Sequence, residues 1–355
     1  MFNTHLVKAL RAHGHAVHCI NFSRQYPSLL FPGKTQYSAD PVEEHVPALL
    51  DSINPLTWRA TAKYINDLQV DRVLVPYWTG YLAPALTGVT KRLKNMRVTG
   101  ILHNAIPHDA GAFQHRLGRS FFDACNDLVT LSQAVSDDLQ QLHFHRRNHK
   151  REINVQTLFH PVYPHAQAAM PVAQAREALR LPADAKVLLY FGLIRKYKGI
   201  DTLLAAFSQL PNDYYLVVAG EPYVELDQLR SNLAPAVAER VLWHTRFIED
   251  RELPLFFGAA DAVVLPYHTA TQSGVTAVAM HFERPVIASN VGGLAEYIAH
   301  EKTGMLFPAG DAQALAHAIA QWFLVFRLTP GWEQAIARRV EALSWSRFAA
   351  ELMDV

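Results

Sequence analysis

The sequence predicts an α/β protein made of two doubly wound domains in series. Short β-branched runs alternate with amphipathic helical stretches along the chain, a pattern typical of parallel sheets covered by helices on both faces. At 355 residues the chain is too long for one ordinary core. Residues 160–174, with three prolines and no clear period, indicate a linker between the two halves.

Ten strands are predicted, five in each half. They cover residues 16–22, 72–77, 97–103, 127–132 and 154–159, then 186–192, 214–220, 240–245, 261–267 and 285–289. The predicted domains are residues 1–165 and 166–330. The remaining helical stretch, 331–355, is expected to pack back on the first domain.

The first domain opens unusually, because Met1 leads directly into an amphipathic helical stretch. A doubly wound domain normally begins with a strand and a glycine-bearing turn. That first strand is therefore missing from the predicted sheet. Either the start lies upstream or the sheet of this domain is unusual.

Composition excludes several classes of protein. With 50% hydrophobic residues, 18% charged residues and a net charge of +1, the chain lacks the basic excess of a nucleic-acid-binding protein. Its two cysteines, Cys19 and Cys125, favour buried thiols in a reducing compartment, so a cytoplasmic location is expected. The apolar runs are shorter than the roughly 18 residues that span a bilayer, and no signal peptide is evident. Any membrane association is expected to be peripheral.

The loop after the strand at 186–192 has features of a phosphate site. Gly192 ends the strand, Arg195 and Lys198 follow, and a helix begins after Gly199. Glycine permits close backbone approach, and cations beside a helix N-terminus suit a diphosphate. A solvated basic loop is the alternative.

A second such loop, residues 268–280, holds no acidic side chain. Ser273 or Thr271 can cap the following helix, and Gly274 and Val275 offer backbone amides near its first turn. An ordinary capped helix is the alternative. In the next loop, Gly292 and Gly293 follow a strand, and Glu296 is predicted in the first turn of a helix.

These motifs resemble a known family. FGLIRKYKGIDTLLAAF, VVAG, AADAVVLPYHTATQSGVTAVAMHFERPVIASNVGGLAEYI and TGMLFPAGD look like the donor-binding domain of the GT-B fold glycosyltransferases of family 4, which are retaining and use nucleotide sugars. NFSRQYPSLLFPGKTQ, VPYWTGYLAPAL and LHNAIPHD resemble a bacterial branch associated with surface-glycan and exopolysaccharide assembly. The resemblance implies two Rossmann-like domains facing across a cleft, with the acceptor on the first and the donor on the second.

The resemblance also implies roles for single residues. Lys198 stands where the family places a lysine on the diphosphate. Leu193 replaces the family's arginine, and Arg195, two residues on, is expected to take its place. His103 resembles the histidine that lies against the donor sugar and its phosphate, with His108 as a weaker second candidate. Without the family, a lone loop histidine is an ordinary polar residue.

One departure from the family concerns two glutamates that many members carry. Ala270 or Thr271 stands near the first position, and Val278 or Ala279 near the second. The sugar and ribose contacts of those acids cannot be transferred to this chain. Ser273, Gly274 and Val275 remain suited to the phosphate and sugar through main-chain contacts.

Other partner contacts are expected at four positions. Base recognition is predicted near Phe247 and Ile248, and acceptor contacts near Arg24 and Lys34. The basic run 143–152 is either a solvated loop or a patch that faces anionic lipid. Neither a metal site nor a cofactor is expected, since the nucleotide sugar is a substrate.

The resulting hypothesis is a metal-independent glycosyltransferase that acts on a glycan or lipid-linked acceptor in polysaccharide biosynthesis. Lys198 and Arg195 would stabilise the leaving diphosphate, and His103 would position the donor sugar. A non-catalytic relative that binds a nucleotide or glycan as a scaffold is the alternative. A nucleotide-sugar epimerase would need acidic residues in the cleft, and none is well placed.

Overall fold

The computed structural model describes residues 2–26, 46–105, 112–142, 153–164, 167–270 and 273–355. The chain divides into two compact units, Met1–His160 with Trp345–Val355 (unit 1) and Pro161–Ser344 (unit 2). Each unit has its own buried apolar core. Both units are built from parallel strands and helices, as the alternating sequence pattern predicts.

The described residues of unit 1 form six strands and six α-helices. The strands are β1 (Asn21–Arg24), β2 (Ala48–Asp51), β3 (Arg72–Tyr77), β4 (Arg97–Leu102), β5 (Asp127–Thr130) and β6 (Asn154–Thr157). The helices are α1 (Phe2–Ala12), α2 (Pro55–Asp67), α3 (Ala83–Thr90), α4 (Ala112–Phe122), α5 (Gln133–Gln141) and, at the end of the chain, α15 (Trp345–Met353).

The strands of unit 1 form two separate parallel sheets. Strands β3-β4-β5-β6 pair in that order, while β1 and β2 pair only with each other. No described strand pairs with the second edge of β3. The strand predicted at 16–22 is shifted, because pairing with β2 begins only at Asn21 opposite Ala48.

Unit 2 contains a six-stranded parallel sheet in the order β12-β11-β10-β7-β8-β9. The strands are β7 (Lys186–Phe191), β8 (Tyr214–Ala219), β9 (Val241–His244), β10 (Ala262–Leu265), β11 (Val286–Ser289) and β12 (Gly304–Phe307). The helices are α6 (Val172–Ala178), α7 (Ile200–Phe207), α8 (Leu226–Ser231), α9 (Pro235–Ala238), α10 (Leu253–Ala259), α11 (Gly274–His281), α12 (Gly292–Glu296), α13 (Ala312–Leu324) and α14 (Trp332–Ala342).

The strand order of unit 2 reverses direction between β7 and β10. The chain proceeds from β7 outward to β9, then returns to the other side of β7 with β10. In open α/β sheets, ligands bind outside the carboxyl ends of the strands at such a switch point. The loops after β7 and β10 therefore lie side by side at the edge where a ligand is expected.

The stretch 331–355 forms two helices, where one helix was expected. Helix α14 contacts α11 and belongs to unit 2, and Arg339 donates a hydrogen bond to the Glu296 carbonyl oxygen. The break falls at Leu343 and Ser344, where the Val162 amide donates to the Leu343 carbonyl at 3.0 Å. Only α15 lies in unit 1, where it contacts α1.

Candidate functional site

The loop after β7 is shaped by glycines with positive φ. Gly192 has a φ of +96°, and a Cβ there would lie 3.2 Å from Val275 Cγ2 and 3.4 Å from Lys198 Nζ. Gly199 has a φ of +67°, and its Cβ would overlap the Pro266 carbonyl oxygen at 1.9 Å. Because only glycine fits these positions without strain, the loop can close against the residues that follow β10.

Lys198 is the cation nearest the switch point. Its Nζ lies 5.2 Å from the centre of the Tyr267 ring, over the face of that side chain. Burial, with a further effect from Arg195, lowers the pKa of Lys198 from 10.5 to about 8. Among the residues that the structure describes, no carboxylate forms an ion pair with Lys198. An anion bound here would stabilise the charged form of the side chain.

Arg195 lies on the exposed side of the same loop. Its guanidinium is 4.8 Å from the centre of the Tyr223 ring, which is 56% exposed. The preceding Ile194 is fully buried and bridges to Pro222. Arg195 is thus the first exposed cation after Leu193 in this loop.

The N-terminus of α11 lies on the other side of Lys198. Ser273 is the N-cap residue, but its side chain makes no capping hydrogen bond, which corrects the expected side-chain cap. The hydroxyl instead contacts Tyr267, whose pKa is raised by burial. A Cβ at Gly274 would meet nothing within 4 Å, so the first turn of α11 opens onto free space. Unsatisfied amides at a helix N-terminus suit an anion.

Two tyrosines at this edge were missed from the sequence. The hydroxyl of Tyr190 is fully buried and finds no hydrogen-bond partner in the described part of the chain. Tyr267 is 2% exposed and forms the surface beneath Lys198. The position of Tyr267, directly after β10, was the available signal. From the sequence alone, an aromatic residue at that position is predicted to belong to the core, and its contact with Lys198 is visible only in the structure.

The loop after β11 contributes glycines but differs from the prediction at its acid. Gly292 has a φ of +43° and begins α12, and Gly293 is buried. Helix α12 has only five residues, so Glu296 is its last residue and not part of its first turn. The expectation that this acid complements the helix N-terminus is therefore wrong.

The loop after β9 exposes one aromatic side chain. Phe247 is 65% exposed, whereas Ile248 is 7% exposed and anchors the loop in the core. Arg246 holds the loop through two bonds to Glu252, and this hydrogen bonding, opposed by burial, lowers the pKa of Glu252 to about 2. In the sheet, β9 lies beside β8, and β8 lies beside β7. Two strands, β8 and β7, therefore lie between this loop and the switch point.

In unit 1, His103 follows β4, and its backbone amide donates to the Tyr77 carbonyl at 2.8 Å. Its ring packs edge-on against Phe2 at 4.5 Å, with His160 at 5.9 Å. Burial and the neighbouring His160 lower the pKa of His103 to about 3, so the imidazole is neutral at pH 7. A cavity of about 270 Å³ is lined by Phe2, Asn3, Trp78 and His103.

Of the predicted acceptor residues, the structure describes Arg24 only. Arg24 ends β1 and forms a two-pronged pair with Asp51, Nη2 to Oδ2 at 2.6 Å and Nε to Oδ1 at 3.2 Å. That pair lowers the pKa of Asp51 and occupies the guanidinium. Lys34, His108 and the run 143–152 lie outside the described residues, as does Thr271.

In the described ranges, no group of three or more His, Cys, Asp or Glu residues could hold a metal ion.

The sheet order and the loops at its switch point define unit 2 as a Rossmann-like nucleotide-binding type of domain. Residues 185–323 match the family model described as Glycosyl transferases group 1.

Two solved structures share the fold across most of the chain. Sucrose-phosphate synthase from Thermosynechococcus elongatus has a TM-score of 0.71 at 22% identity and covers 98% of this chain and 90% of its own. The Anabaena protein HepE in complex with UDP has a TM-score of 0.67 at 18% identity, covering 84% and 82%. These likenesses confirm the predicted GT-B fold class.

A curated relative is similar over a shorter stretch. A D-inositol 3-phosphate glycosyltransferase of Xylanimonas cellulosilytica is 32% identical over 243 residues, or 66% of this chain. The match spans 54% of that protein, so the chain covers about half the length of the curated relatives it matches. In the described parts of this chain, no helix is long and apolar enough to cross a membrane.

Proposed function

We propose that this protein is a glycosyltransferase that moves a sugar from a nucleotide diphosphate sugar to an acceptor hydroxyl, with retention at the anomeric carbon. One observation carries the proposal. A partly buried Lys198 ammonium without a carboxylate partner in the described residues lies at the switch point of a Rossmann-like sheet. The glycosyl transferases group 1 match over residues 185–323 supports the same donor class.

The residues of unit 2 would act on the leaving group. When the bond from the anomeric carbon to the phosphate oxygen breaks, negative charge grows on the diphosphate. Lys198, Arg195 and the first amides of α11 supply positive charge and hydrogen-bond donors in a partly desolvated place, where such interactions are stronger than in water. Gly192 leaves room for the phosphate beside Lys198 Nζ.

His103 would orient the donor sugar and not transfer a proton. Its low pKa keeps the imidazole neutral, so one ring nitrogen donates a hydrogen bond and the other accepts one. Sugar hydroxyls suit that pair of roles. No protein nucleophile is proposed, because the sequence offers no carboxylate placed for that role.

We propose a glycan or lipid-linked acceptor, in the assembly of a surface polysaccharide, at the cytoplasmic face of a membrane. The sequence likeness of the first half supports this choice. Inositol 3-phosphate is the second candidate acceptor, because the names of the curated relatives specify it. Those matches cover as little as about half of this chain, so they bear more on the donor than on the acceptor.

Equilibrium binding of UDP- and GDP-sugars tests the donor site, with Lys198→Ala as the main variant. Lys196→Ala is the matched control, because Lys196 is an exposed cation two residues away. We expect Lys198→Ala to weaken binding of one donor by at least about tenfold, and Lys196→Ala to change it less than about threefold. Equal effects of the two variants would contradict the proposed site.

Turnover separates the transferase from a binding scaffold. Slow hydrolysis of the bound donor, and its acceleration by either a lipid-linked glycan or inositol 3-phosphate, are expected of an enzyme. Specific donor binding without hydrolysis or transfer to any acceptor would favour the non-catalytic relative.

A further inference from the structure

The end of α13 exposes an unusual group of apolar side chains. Leu324, Val325 and Leu328 are 64%, 50% and 75% exposed, within five consecutive residues. In the part of the chain that the structure describes, the other exposed large apolar side chains are more dispersed, the nearest parallel being Ile53 and Leu56. A local concentration of this kind marks an interaction surface more often than scattered single residues do. We call residues 324–328 the apolar patch.

The apolar patch is held in place by the core of unit 2. Phe323, directly before it, is 5% exposed, and Trp322 is fully buried. The Trp332 indole N–H donates to the Arg327 carbonyl at 3.2 Å, and its ring packs edge-on against Trp322 at 5.4 Å. The exposure of the leucines is therefore fixed by anchored neighbours.

Arg327 of the patch belongs to a charged cluster in which arginines outnumber acids. Arg327 and Arg176 both bind Asp261, each at 2.9 Å. Arg284 interacts electrostatically with Arg327, Arg176 and Asp261. Its pKa is lowered chiefly by burial. Glu283 is the other acid that acts on Arg284. Three guanidiniums thus face two carboxylates, and Arg327, whose side chain is 41% exposed, carries positive charge within the patch itself.

The patch lies at the end of the unit 2 sheet where its strands begin. Asp261 immediately precedes β10, and its carboxylate accepts a bond from the Val187 amide at the start of β7. Lys186 Nζ, at the same end of β7, is 6.0 Å from the centre of the Phe323 ring. The proposed donor loops follow the opposite, carboxyl ends of these strands. Changes in the patch therefore do not touch the donor loops.

We propose that the apolar patch binds the surface of an anionic phospholipid bilayer. Leu324, Val325 and Leu328 enter the interface between headgroups and acyl chains, and the exposed Arg327 guanidinium attracts lipid phosphates. A stable protein partner would need about 800 Å² on each side, or 20 to 30 residues, which three side chains on one short segment do not provide. The proposal does not depend on catalysis.

Vesicle co-sedimentation of the full chain tests the proposal. The probes are vesicles of phosphatidylcholine alone and of phosphatidylcholine mixed with phosphatidylglycerol. The test variant combines Leu324→Ser with Leu328→Ser, and the matched control combines Ile53→Ser with Leu56→Ser, an equally exposed apolar pair in unit 1. Thermal unfolding midpoints of both variants check that the fold is retained.

We expect wild type to sediment with the anionic vesicles and to be released by added salt. The test variant should lose about tenfold or more in apparent affinity, and the control variant less than about threefold. Equal sedimentation of wild type and test variant with anionic vesicles would overturn the proposal, as would no preference for anionic lipid. A dimer in solution that the test variant converts to monomer would assign the patch to a protein contact instead.

Discussion

Lys198 supplies the charge that the proposed donor site needs, and its environment makes that charge depend on pH. Burial and Arg195 lower its pKa to about 8, so the ammonium is present below that pH and is lost above it. A diphosphate binds the charged form better. We therefore expect UDP affinity to fall between about pH 7 and about pH 9, by at most about tenfold per pH unit.

Calorimetric titration of wild type and Lys198→Arg with UDP checks this pH dependence. Arginine keeps its charge across the whole range, so its affinity should stay level. A decline of equal steepness in Lys198→Arg would assign the pH dependence to another group.

His103 gives the opposite expectation, since its charge should not change in the physiological range. A folded pKa of about 3 keeps the imidazole neutral from about pH 5 upward. The pH–rate profile should therefore show no inflection near pH 6.5 that disappears in His103→Gln. Such an inflection, present in wild type and absent from the variant, would show that His103 titrates during turnover.

Sequence reasoning reached the charged residues of the candidate site more readily than its aromatic ones. Lys198 and Gly192 lie close together. They could be predicted because both follow a strand, and the end of that strand can be located from the hydrophobic periodicity. Tyr267 and Tyr190 are hidden inside apolar strand patterns. Glu296 was misplaced because α12 has only five residues, and the sequence pattern does not show how short that helix is.

The loop between β7 and α7 depends on one backbone position. Gly199 combines a positive φ with a Cβ position only 1.9 Å from the Pro266 carbonyl oxygen. We expect Gly199→Ala to lower the free energy of unfolding by about 2 to 4 kcal/mol and to weaken donor binding, because the loop must shift away from β10.

Gly274→Ala is the comparison for that change. Its Cβ would enter open space at the first residue of α11, so stability should change by less than about 0.5 kcal/mol. Chemical denaturation of both variants measures the difference. Equal stabilities would mean that the loop relaxes at no cost.

At the level of elements, strands with β-branched residues were predicted well, and strands without them were not. Strands β3 to β11 fall within a residue or so of their predicted bounds at most ends, since β-branched runs and flanking turns mark them. Strands β2 (ALLD) and β12 (GMLF) were missed because neither contains a β-branched residue, although other four-residue strands were predicted. Their existence depends on pairing with a neighbour.

The whole molecule contains one apolar core in each unit, so we expect it to unfold in two steps. A ligand that binds only unit 2 should stabilise only that unit, by about 2.7 kcal/mol when its concentration is 100 times its Kd. Differential scanning calorimetry with and without UDP should therefore show one transition that moves and one that does not.

Matched core variants assign the two transitions. Leu203 in unit 2 and Leu102 in unit 1 are both fully buried, so substitution with alanine should cost each unit about 2 to 5 kcal/mol. Leu203→Ala should lower the transition that UDP raises, and Leu102→Ala the other. A single transition that both variants and UDP shift equally would mean that the units unfold together.

The unpaired edge of β3 bears on how this protein behaves at high concentration. Residues 72–76 are only half-buried, and in the described ranges their second row of backbone groups has no strand beside it. Such an edge can recruit an extended segment from another molecule, the first step of strand-mediated aggregation. Pro76 has no N–H and limits that recruitment to the preceding residues. We therefore expect light scattering to grow with storage concentration, and more so if Pro76 is replaced by valine.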